Sequence, residues 1–395
     1  MSGFEGFDPE QALACARELS YPRLAGSEGE RRAAAQIEAR LQAAGWQVQR
    51  LPFAFSTRAE GFLKAGLLCG LLLAAALNLV PPQAGLGPAL RLLLSALLLL
   101  LLFGLPRGYA RQRRRQVQAL EGGARPRPGL PGRAENLFAR LPGSEGADQP
   151  LLILMAHYDS KSQNLPLRLR VACFSLASLG ALASALLAPL GLLWPALLPL
   201  AQGAGLAAVL AGLPLLTLRV GNASPGASDN ASGAGLVLHL AEALARRPEL
   251  RGGVNVACLF TSAEELGLLG ALAFIQARGG ELRLQAQGAG LQVLNFDGVG
   301  VEGRLHLMGS PGGGRLERAL QTGGRPLRRF RLPGALYDHL PFARLGLEAE
   351  TLAAIGPAGA AVHTPADGPH LLHPEGFRRA GEAALAAVAA LSARS

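Results

Sequence analysis

Histidine and carboxylate side chains follow three separate apolar runs of the sequence. His157 and Asp159 come directly after LLILMA, Glu264 and Glu265 after VACLFTSA, and Asp297 after LQVLNF. Near-continuous apolar runs of this kind are typical of parallel strands that are buried on both faces. In open α/β sheets, functional sites lie outside the carboxyl ends of the strands. We therefore expect these side chains to meet in one crevice.

Two further polar positions have residue types that suit the same crevice. Asp229 lies in GASDNASGAG, just ahead of a helical pattern, and His363 lies in AVHTPAD. Together with the strand-end residues they form a set of histidine and carboxylate ligands, which suits zinc or another borderline divalent cation. The chain has 4 cysteines and no CxxC spacing, so we expect no cysteine-based metal site. Two other histidines, His239 and His306, sit among apolar neighbours and are interpreted as structural.

The elements that must position these residues alternate between strand and helix patterns. GSEGERRAAAQIEARLQAAG predicts a helix that Ser27 caps and Gly45 ends. The strand-like WQVQRLPFAF follows it, and GLVLHLAEALARR predicts a helix directly after Asp229. This alternation predicts an α/β domain with a doubly wound, largely parallel sheet.

Two long apolar blocks interrupt this domain, at residues 61–106 and 169–218. Hydrophobic residues make up 50% of the chain, and the mean hydropathy is +0.26. A spanning helix needs about 20 mostly apolar residues, so each block is long enough for a hairpin of two spans. Pro81-Pro82 and Pro189-Leu190-Gly191 are the expected turns. Buried helices of a soluble core are disfavoured, because the run from Leu92 to Phe103 has no polar face.

Basic residues flank the spans on one side of the predicted membrane. They are Arg58 and Lys64 before the first span, Arg107, Arg111, Arg113, Arg114 and Arg115 after the second, Lys161, Arg168 and Arg170 before the third, and Arg219 after the fourth. The positive-inside rule then predicts a cell-membrane protein of about four spans with its catalytic domain in the cytoplasm. The amino terminus has no pattern of a secretory signal. The net charge of +10 is explained by this flanking, so no nucleic-acid partner is expected.

The predicted organisation has six parts. An amino-terminal piece of the catalytic domain covers 1–60, the first hairpin 61–106, a basic and Pro/Gly-rich linker 107–133, a second piece of the domain 134–168, the second hairpin 169–218, and the remainder of the domain 219–395.

Five short segments occur in an order that resembles a known family. HYD, ASDNASG, SAEELGLLGA, NFDGVG and HTPAD are similar to the motif blocks of co-catalytic zinc exopeptidases of the aminopeptidase Y type, metallopeptidase family 28. One such block would be weak evidence, whereas five in order at the predicted strand and helix boundaries are specific. The resemblance implies a zinc exopeptidase-like fold, two divalent metal ions with zinc as the expected metal, and peptide substrates.

The resemblance also implies a role for each residue. Asp229 would bridge the two ions, His157 and Asp297 would complete one site, and Glu265 with His363 the other. Glu264 would be the general base, and Asp159 would hold the His157 ring. Asp338 and His339, in YDHLPF, correspond to a segment of the family that contributes to the substrate pocket, but Tyr337 stands where that segment usually has serine.

The expected activity is therefore that of a membrane-bound zinc aminopeptidase that uses a two-metal-activated water and a glutamate base. Glutaminyl-cyclase-like acyl transfer, carboxypeptidase activity and a catalytically silent membrane scaffold remain the alternatives. A cyclase is expected to use one zinc ion. Residue specificity and oligomeric state are left open.

Overall fold

The computed structural model describes residues 7–79, 87–142, 149–309, 314–322, 327–330 and 335–393. They form two compact units. The first, which we call the α/β unit, lies within Met1–Phe55, Val117–Ser162 and Gly221–Ser395. The second, the helical unit, lies within Ser56–Gln116 and Gln163–Val220. The chain therefore leaves the α/β unit twice and returns to it twice.

The strands have the following bounds in chain order: β1 Gln47–Phe55, β2 Val117–Ala119, β3 Gly132–Arg140, β4 Leu151–His157, β5 Ser162–Gln163, β6 Val220–Gly221, β7 Asn255–Thr261, β8 Leu291–Asp297, β9 Arg304–Gly309, β10 Arg328–Arg329 and β11 Glu348–Ile355. The main sheet has the order β10-β9-β11-β8-β4-β7-β3-β1-β2, and β5 pairs with β6 separately. Its centre, β11-β8-β4-β7, is parallel. Antiparallel pairs extend it on both sides, so the sheet is mixed around a parallel centre.

The helices of the α/β unit are α1 Pro9–Glu18, α2 Glu28–Ala43, α7 Ser232–Arg246, α8 Leu269–Gln287, α9 Arg315–Thr322, α10 His339–Arg344 and α11 Pro374–Ser392. Ser27 caps α2, because its hydroxyl accepts a hydrogen bond from the Glu30 amide at 3.2 Å. Gly45 follows this helix with a φ of +84°, a conformation that glycine adopts without strain. The predicted helix is therefore confirmed at both ends.

Strand β4 shows why the apolar runs form the centre of the sheet. Its residues are all buried, and they alternate between two cores. Leu152, Leu154 and Ala156 belong to the core on the side of α1, α2, α7 and α11. Ile153 and Met155 belong to the core on the side of α8 and α10. Helices thus cover both faces, as the α/β interpretation predicts, and a strand between two cores needs apolar side chains in both directions.

The helical unit contains α3 Arg58–Leu79, α4 Pro88–Arg115, α5 Leu167–Leu190 and α6 Leu198–Leu216. Its described interior is rich in alanine. The two helices of the second hairpin approach closely, since a Cβ added at Gly180 would lie 2.7 Å from the Ala204 carbonyl oxygen. Leucines on the outside are exposed, including Leu100 and Leu179. By length and apolar composition, all four helices are candidate membrane spans.

The hairpins differ in detail from the predicted boundaries. The sequence predicts a linker from residue 107, but the basic run of residues 107–115 forms the last turns of α4, and Pro106 lies inside that helix. Pro189 lies inside α5, so the chain turns only from Gly191 onward. The predicted turn at Pro81-Pro82 lies outside the described residues.

Candidate metal centre and active site

The parallel centre of the sheet positions the predicted site residues. Strands β8, β4 and β7 are neighbours, and His157 at the end of β4 lies in register with Thr261 at the end of β7. Asp297 ends β8. Glu264 and Glu265 therefore follow β7 at the same edge of the sheet, where polar side chains at three strand ends converge.

Asp229 stands between two groups of potential ligands. Its Oδ1 lies 3.1 Å from His157 Nε2, and its Oδ2 lies 3.1 Å from His363 Nε2. His157 Nε2 is also 3.8 Å from Asp297 Oδ2, whereas His363 Nε2 is 2.9 Å from Glu265 Oε2. The first group is His157, Asp229 and Asp297, and the second is Asp229, Glu265 and His363. The two oxygens of one carboxylate thus face different groups.

Glu264 lies beside the first group without belonging to either. Its Oε2 is 4.0 Å from His157 Nε2, and its side chain is 9% exposed. Burial raises the pKa of Glu264 well above its ordinary value, and the nearby Asp338 adds to this rise. A buried carboxylate that lies next to the ligand groups without joining them is a candidate for the general base.

Asp159 contacts both the His157 ring and the loop that carries Glu264 and Glu265. Its Oδ1 lies 3.5 Å from His157 Nδ1, and its main-chain oxygen lies 3.2 Å from the same nitrogen. Its two carboxylate oxygens also accept hydrogen bonds from the backbone amides of Glu264 and Glu265, at 3.2 and 3.3 Å. One buried carboxylate therefore fixes the loop that carries both glutamates and orients the His157 ring.

The Asp229 loop is held by hydrogen bonds with residues to which the motifs assign no role. The buried Asp367 carboxylate accepts hydrogen bonds from the Ser228 amide and hydroxyl, at 2.8 and 2.6 Å, and from the Asp229 amide at 3.2 Å. The Asn230 side chain bonds the Phe296 carbonyl at 2.8 Å, next to Asp297. Asp367 is the last residue of the segment HTPAD, but its partners lie far away in the sequence.

Arg23 is a second positioning residue, and it lies outside the five motif segments. It is fully buried, and its guanidinium donates to the carbonyl oxygens of Tyr158 at 2.7 Å, Pro225 at 2.8 Å and Gly226 at 3.0 Å. Burial lowers its pKa to about 10. This side chain ties the loop after His157 to the loop before Asp229.

Asp338 and His339 lie buried at the start of α10. Asp338 Oδ2 accepts a hydrogen bond from the Thr261 hydroxyl, and burial raises the pKa of Asp338 to about 6. His339 Nδ1 lies 2.7 Å from the Thr351 hydroxyl, and burial lowers its pKa to about 4. Tyr337 stacks on the His339 ring, with centroids 6.1 Å apart. The hydrogen-bond partners of these two residues, Thr261 and Thr351, lie on the strands β7 and β11.

Lys161 lies against a predicted metal ligand, not at the membrane surface that its sequence position suggests. Its position before the third candidate span predicts a residue that flanks the membrane. Its ammonium instead donates to the main-chain oxygen of Glu265 at 2.8 Å and lies 3.0 Å from Glu265 Oε2. Its side chain is only 14% exposed. A buried cation therefore adjoins the second ligand group.

The charges of the cluster are suited to a divalent cation. Burial opposes the ionisation of Asp229, but the neighbouring His157 and His363 rings outweigh it and lower the Asp229 pKa. Burial raises the pKa of Asp297 to about 8, and the negative charge of Asp229 adds to this effect. So many carboxylates within a few ångströms repel one another, and a bound cation would relieve that repulsion.

The donor atoms also fit such an ion. Within the described residues, His157 Nε2 and Glu265 Oε1 are buried and make no hydrogen bond of acceptable geometry. Buried polar atoms are normally satisfied, so two such atoms facing a carboxylate cluster indicate a missing partner. Imidazole nitrogen and carboxylate oxygen are ligands that zinc accepts.

Comparisons with known proteins agree with this geometry. Peptidase family M28 matches residues 136–388. A zinc aminopeptidase from Bacillus subtilis superposes with a TM-score of 0.54 at 15% identity, over 97% of this chain and 95% of that one. An aminopeptidase from an Aneurinibacillus species gives 0.52 at 15% identity, over 97% and 94%. A glutaminyl cyclase from Fimbriiglobus ruber gives 0.52 at 14% identity, over 99% and 97%.

A search of curated proteins finds no significant match. The solved structures share the fold at low identity, whereas the family match covers more than half of the chain and includes the strand-end residues described above. The chain therefore belongs to peptidase family M28.

Proposed function

We propose that this protein is a membrane-bound, zinc-dependent aminopeptidase that removes amino-terminal residues from peptides. The observation that carries the proposal is the position of Asp229, whose two oxygens face two separate ligand groups while Glu264 remains outside both. In this assignment His157, Asp229 and Asp297 hold one ion, and Asp229, Glu265 and His363 hold the other.

Two zinc ions at these positions would polarise the scissile carbonyl and lower the pKa of the attacking water. Glu264 takes a proton from that water as its oxygen bonds to the carbonyl carbon. As the C–N bond breaks, Glu264 returns the proton to the leaving amine. Asp159 serves both steps, because it holds the His157 ring and the amides of Glu264 and Glu265.

The membrane part of the proposal rests on the four apolar helices. Each is long enough to cross a bilayer, and the leucines on their outer surface are exposed. The basic flanks favour a catalytic domain on the cytoplasmic side. The substrates would then be cytoplasmic or membrane-derived peptides.

Turnover of three matched peptides by the detergent-solubilised protein tests the activity. We expect hydrolysis of a peptide with a free amino terminus and none of its N-acetylated form. Release of the last residue from both would indicate a carboxypeptidase. Cyclisation of an amino-terminal glutamine with release of ammonia would indicate the cyclase activity, which a neighbour with this fold has in its name. No turnover of any peptide would favour the scaffold alternative.

Glu264→Gln tests the role of the proposed base. The amide cannot accept the proton, so the rate should fall about 100-fold to 10,000-fold while metal content is unchanged. Glu249→Gln is the matched control, because the Glu249 side chain is 64% exposed and lies outside the cluster. Near wild-type turnover of Glu264→Gln would contradict the assignment.

A further inference from the structure

Lys161 adjoins the cluster, but the proposed mechanism gives it no role as a ligand or a proton carrier. The lysines of the chain are Lys64 and Lys161, among 38 lysine and arginine residues in total. The compact ammonium of Lys161 makes two contacts with a single partner, Glu265, through its main-chain oxygen and its carboxylate. A residue that only flanked the membrane would point its charge to solvent, so the burial of this one needs another explanation.

The surroundings of the two ligand groups differ in charge. Glu264 lies near the first group, 4.0 Å from His157 Nε2, and the carboxyl group of Asp338 influences this side of the cluster. In the second group, Lys161 lies against Glu265, one of the two residues that this group does not share with the first. Asp229 is common to both and cannot discriminate between them. The first group therefore has an additional carboxylate beside it, whereas the second has an ammonium against one of its ligands.

A positive charge beside a ligand opposes the binding of a divalent cation. With an effective dielectric constant of about 20, a unit charge several ångströms from a divalent ion lowers the affinity for that ion by at least about 10-fold. The same ammonium lies 3.0 Å from Glu265 Oε2 and therefore competes with an ion for this carboxylate. Repulsion and competition act in the same direction.

We propose that Lys161 is a fixed positive charge that makes Asp229, Glu265 and His363 the weaker of two metal sites. The protein then holds one divalent ion tightly at His157, Asp229 and Asp297, and a second ion that exchanges with the surroundings. This inference rests on the ligand groups of the proposed function, but it does not depend on which reaction the enzyme catalyses. It makes occupancy of the second site a function of the available metal.

Zinc titration of metal-free, detergent-solubilised protein against a chromophoric chelator tests the proposal. The wild type should show two affinities at least about 10-fold apart. Lys161→Met removes the charge and keeps the side-chain length, so the weaker affinity should rise at least about 10-fold. Lys161→Arg restores the charge and should return the wild-type separation. A purely structural role would lower thermal stability in Lys161→Met without tightening the second site.

Two controls assign the effect. Lys64→Met makes the same chemical change in the helical unit, where Lys64 donates to the Leu218 carbonyl oxygen, and should leave both affinities unchanged. His363→Ala should abolish the weaker affinity and leave the tighter one. If Lys161→Met does not fold, Lys161→Gln replaces it.

The proposal is overturned if the second affinity in the neutral variants is unchanged or weaker, or if His363→Ala removes the tighter ion. Loss of the proposed function would look different. A protein with the expected metal affinities that cleaves no peptide would retain this inference and refute the aminopeptidase assignment.

Discussion

Asp367→Asn is the substitution whose effect the structure specifies most closely. The Asp367 side chain is fully buried, and its carboxylate accepts three hydrogen bonds from Ser228 and Asp229. Its main-chain oxygen also accepts from the Ala227 amide at 3.0 Å. Through these bonds a residue outside both ligand groups fixes the backbone of the proposed bridging aspartate.

The asparagine side chain keeps one acceptor oxygen and replaces the other by an amide group. Whichever way it turns, an NH₂ faces a backbone N–H or the Ser228 donors, so at least one bond is lost and the others lose their charge assistance. Hydrogen bonds to charged groups contribute about 1.5–3 kcal/mol each. We therefore expect the free energy of unfolding to fall by about 2–4 kcal/mol.

Metal affinity should fall as well, because Asp229 is no longer held in place. Replacing such supporting residues typically costs about 10-fold to 100-fold in affinity. Asp229 is shared by both ligand groups, so both affinities should fall together, unlike the selective effect expected at Lys161. Zinc titration and thermal unfolding of the metal-free protein measure the two quantities. Both are best measured at pH values of about 8, because burial raises the pKa of Asp367 and the wild-type group should be ionised.

Asp8→Asn is the matched control. Asp8 caps α1 and accepts hydrogen bonds from the amides of Glu10 and Gln11, and asparagine caps a helix about as well. It should change neither metal affinity nor stability appreciably. Wild-type affinity for both ions in Asp367→Asn would refute the reasoning that this carboxylate positions Asp229.

Three further predictions concern the ligands, a buried acid and the membrane. Asp229→Ala should lose both ions and His363→Ala only one, as measured by elemental analysis; full retention of one ion in Asp229→Ala would contradict the bridging role. Burial raises the pKa of Glu30 to about 7, so the folded state keeps its proton at pH values where the unfolded state has already released it. The bound proton stabilises the folded state, and this stabilisation is lost as the pH rises through about 7. The free energy of unfolding of Glu30→Gln should lack this pH dependence and should exceed that of the wild type by up to about 3 kcal/mol at pH values above about 8. Parallel curves of unfolding free energy against pH for the two proteins would contradict this prediction. Single cysteines at Leu193 and Glu249, in a background without native cysteines, should react with an impermeant thiol reagent in intact cells at Leu193 only; labelling at Glu249 alone would place the catalytic domain outside.

Much of the candidate site can be predicted from the sequence because its residues stand at the ends of apolar strands. The runs before His157, Glu264 and Asp297 are continuous, since each strand is buried on both faces, and a polar residue directly after such a run marks the sheet edge. Local sequence also determined the helix that begins after Ser27 and the four apolar helices. These features depend on residues within one element, which is why a linear pattern contains them.

Only the tertiary structure decided what lies beside each of these residues. The sequence neighbours of Lys161 predict a residue that flanks the membrane, yet its ammonium donates a hydrogen bond to Glu265, which is 104 positions away. Asp367 reaches Ser228 across 139 positions, and the Asp159 carboxylate meets the Glu264 amide across 105. The direction of a loop side chain depends on the path of the whole loop and on which distant groups remain unsatisfied there. No periodic pattern encodes that, so the strand-end residues could be predicted from the sequence, whereas the side chains that hold and tune them became visible only when the chain was folded.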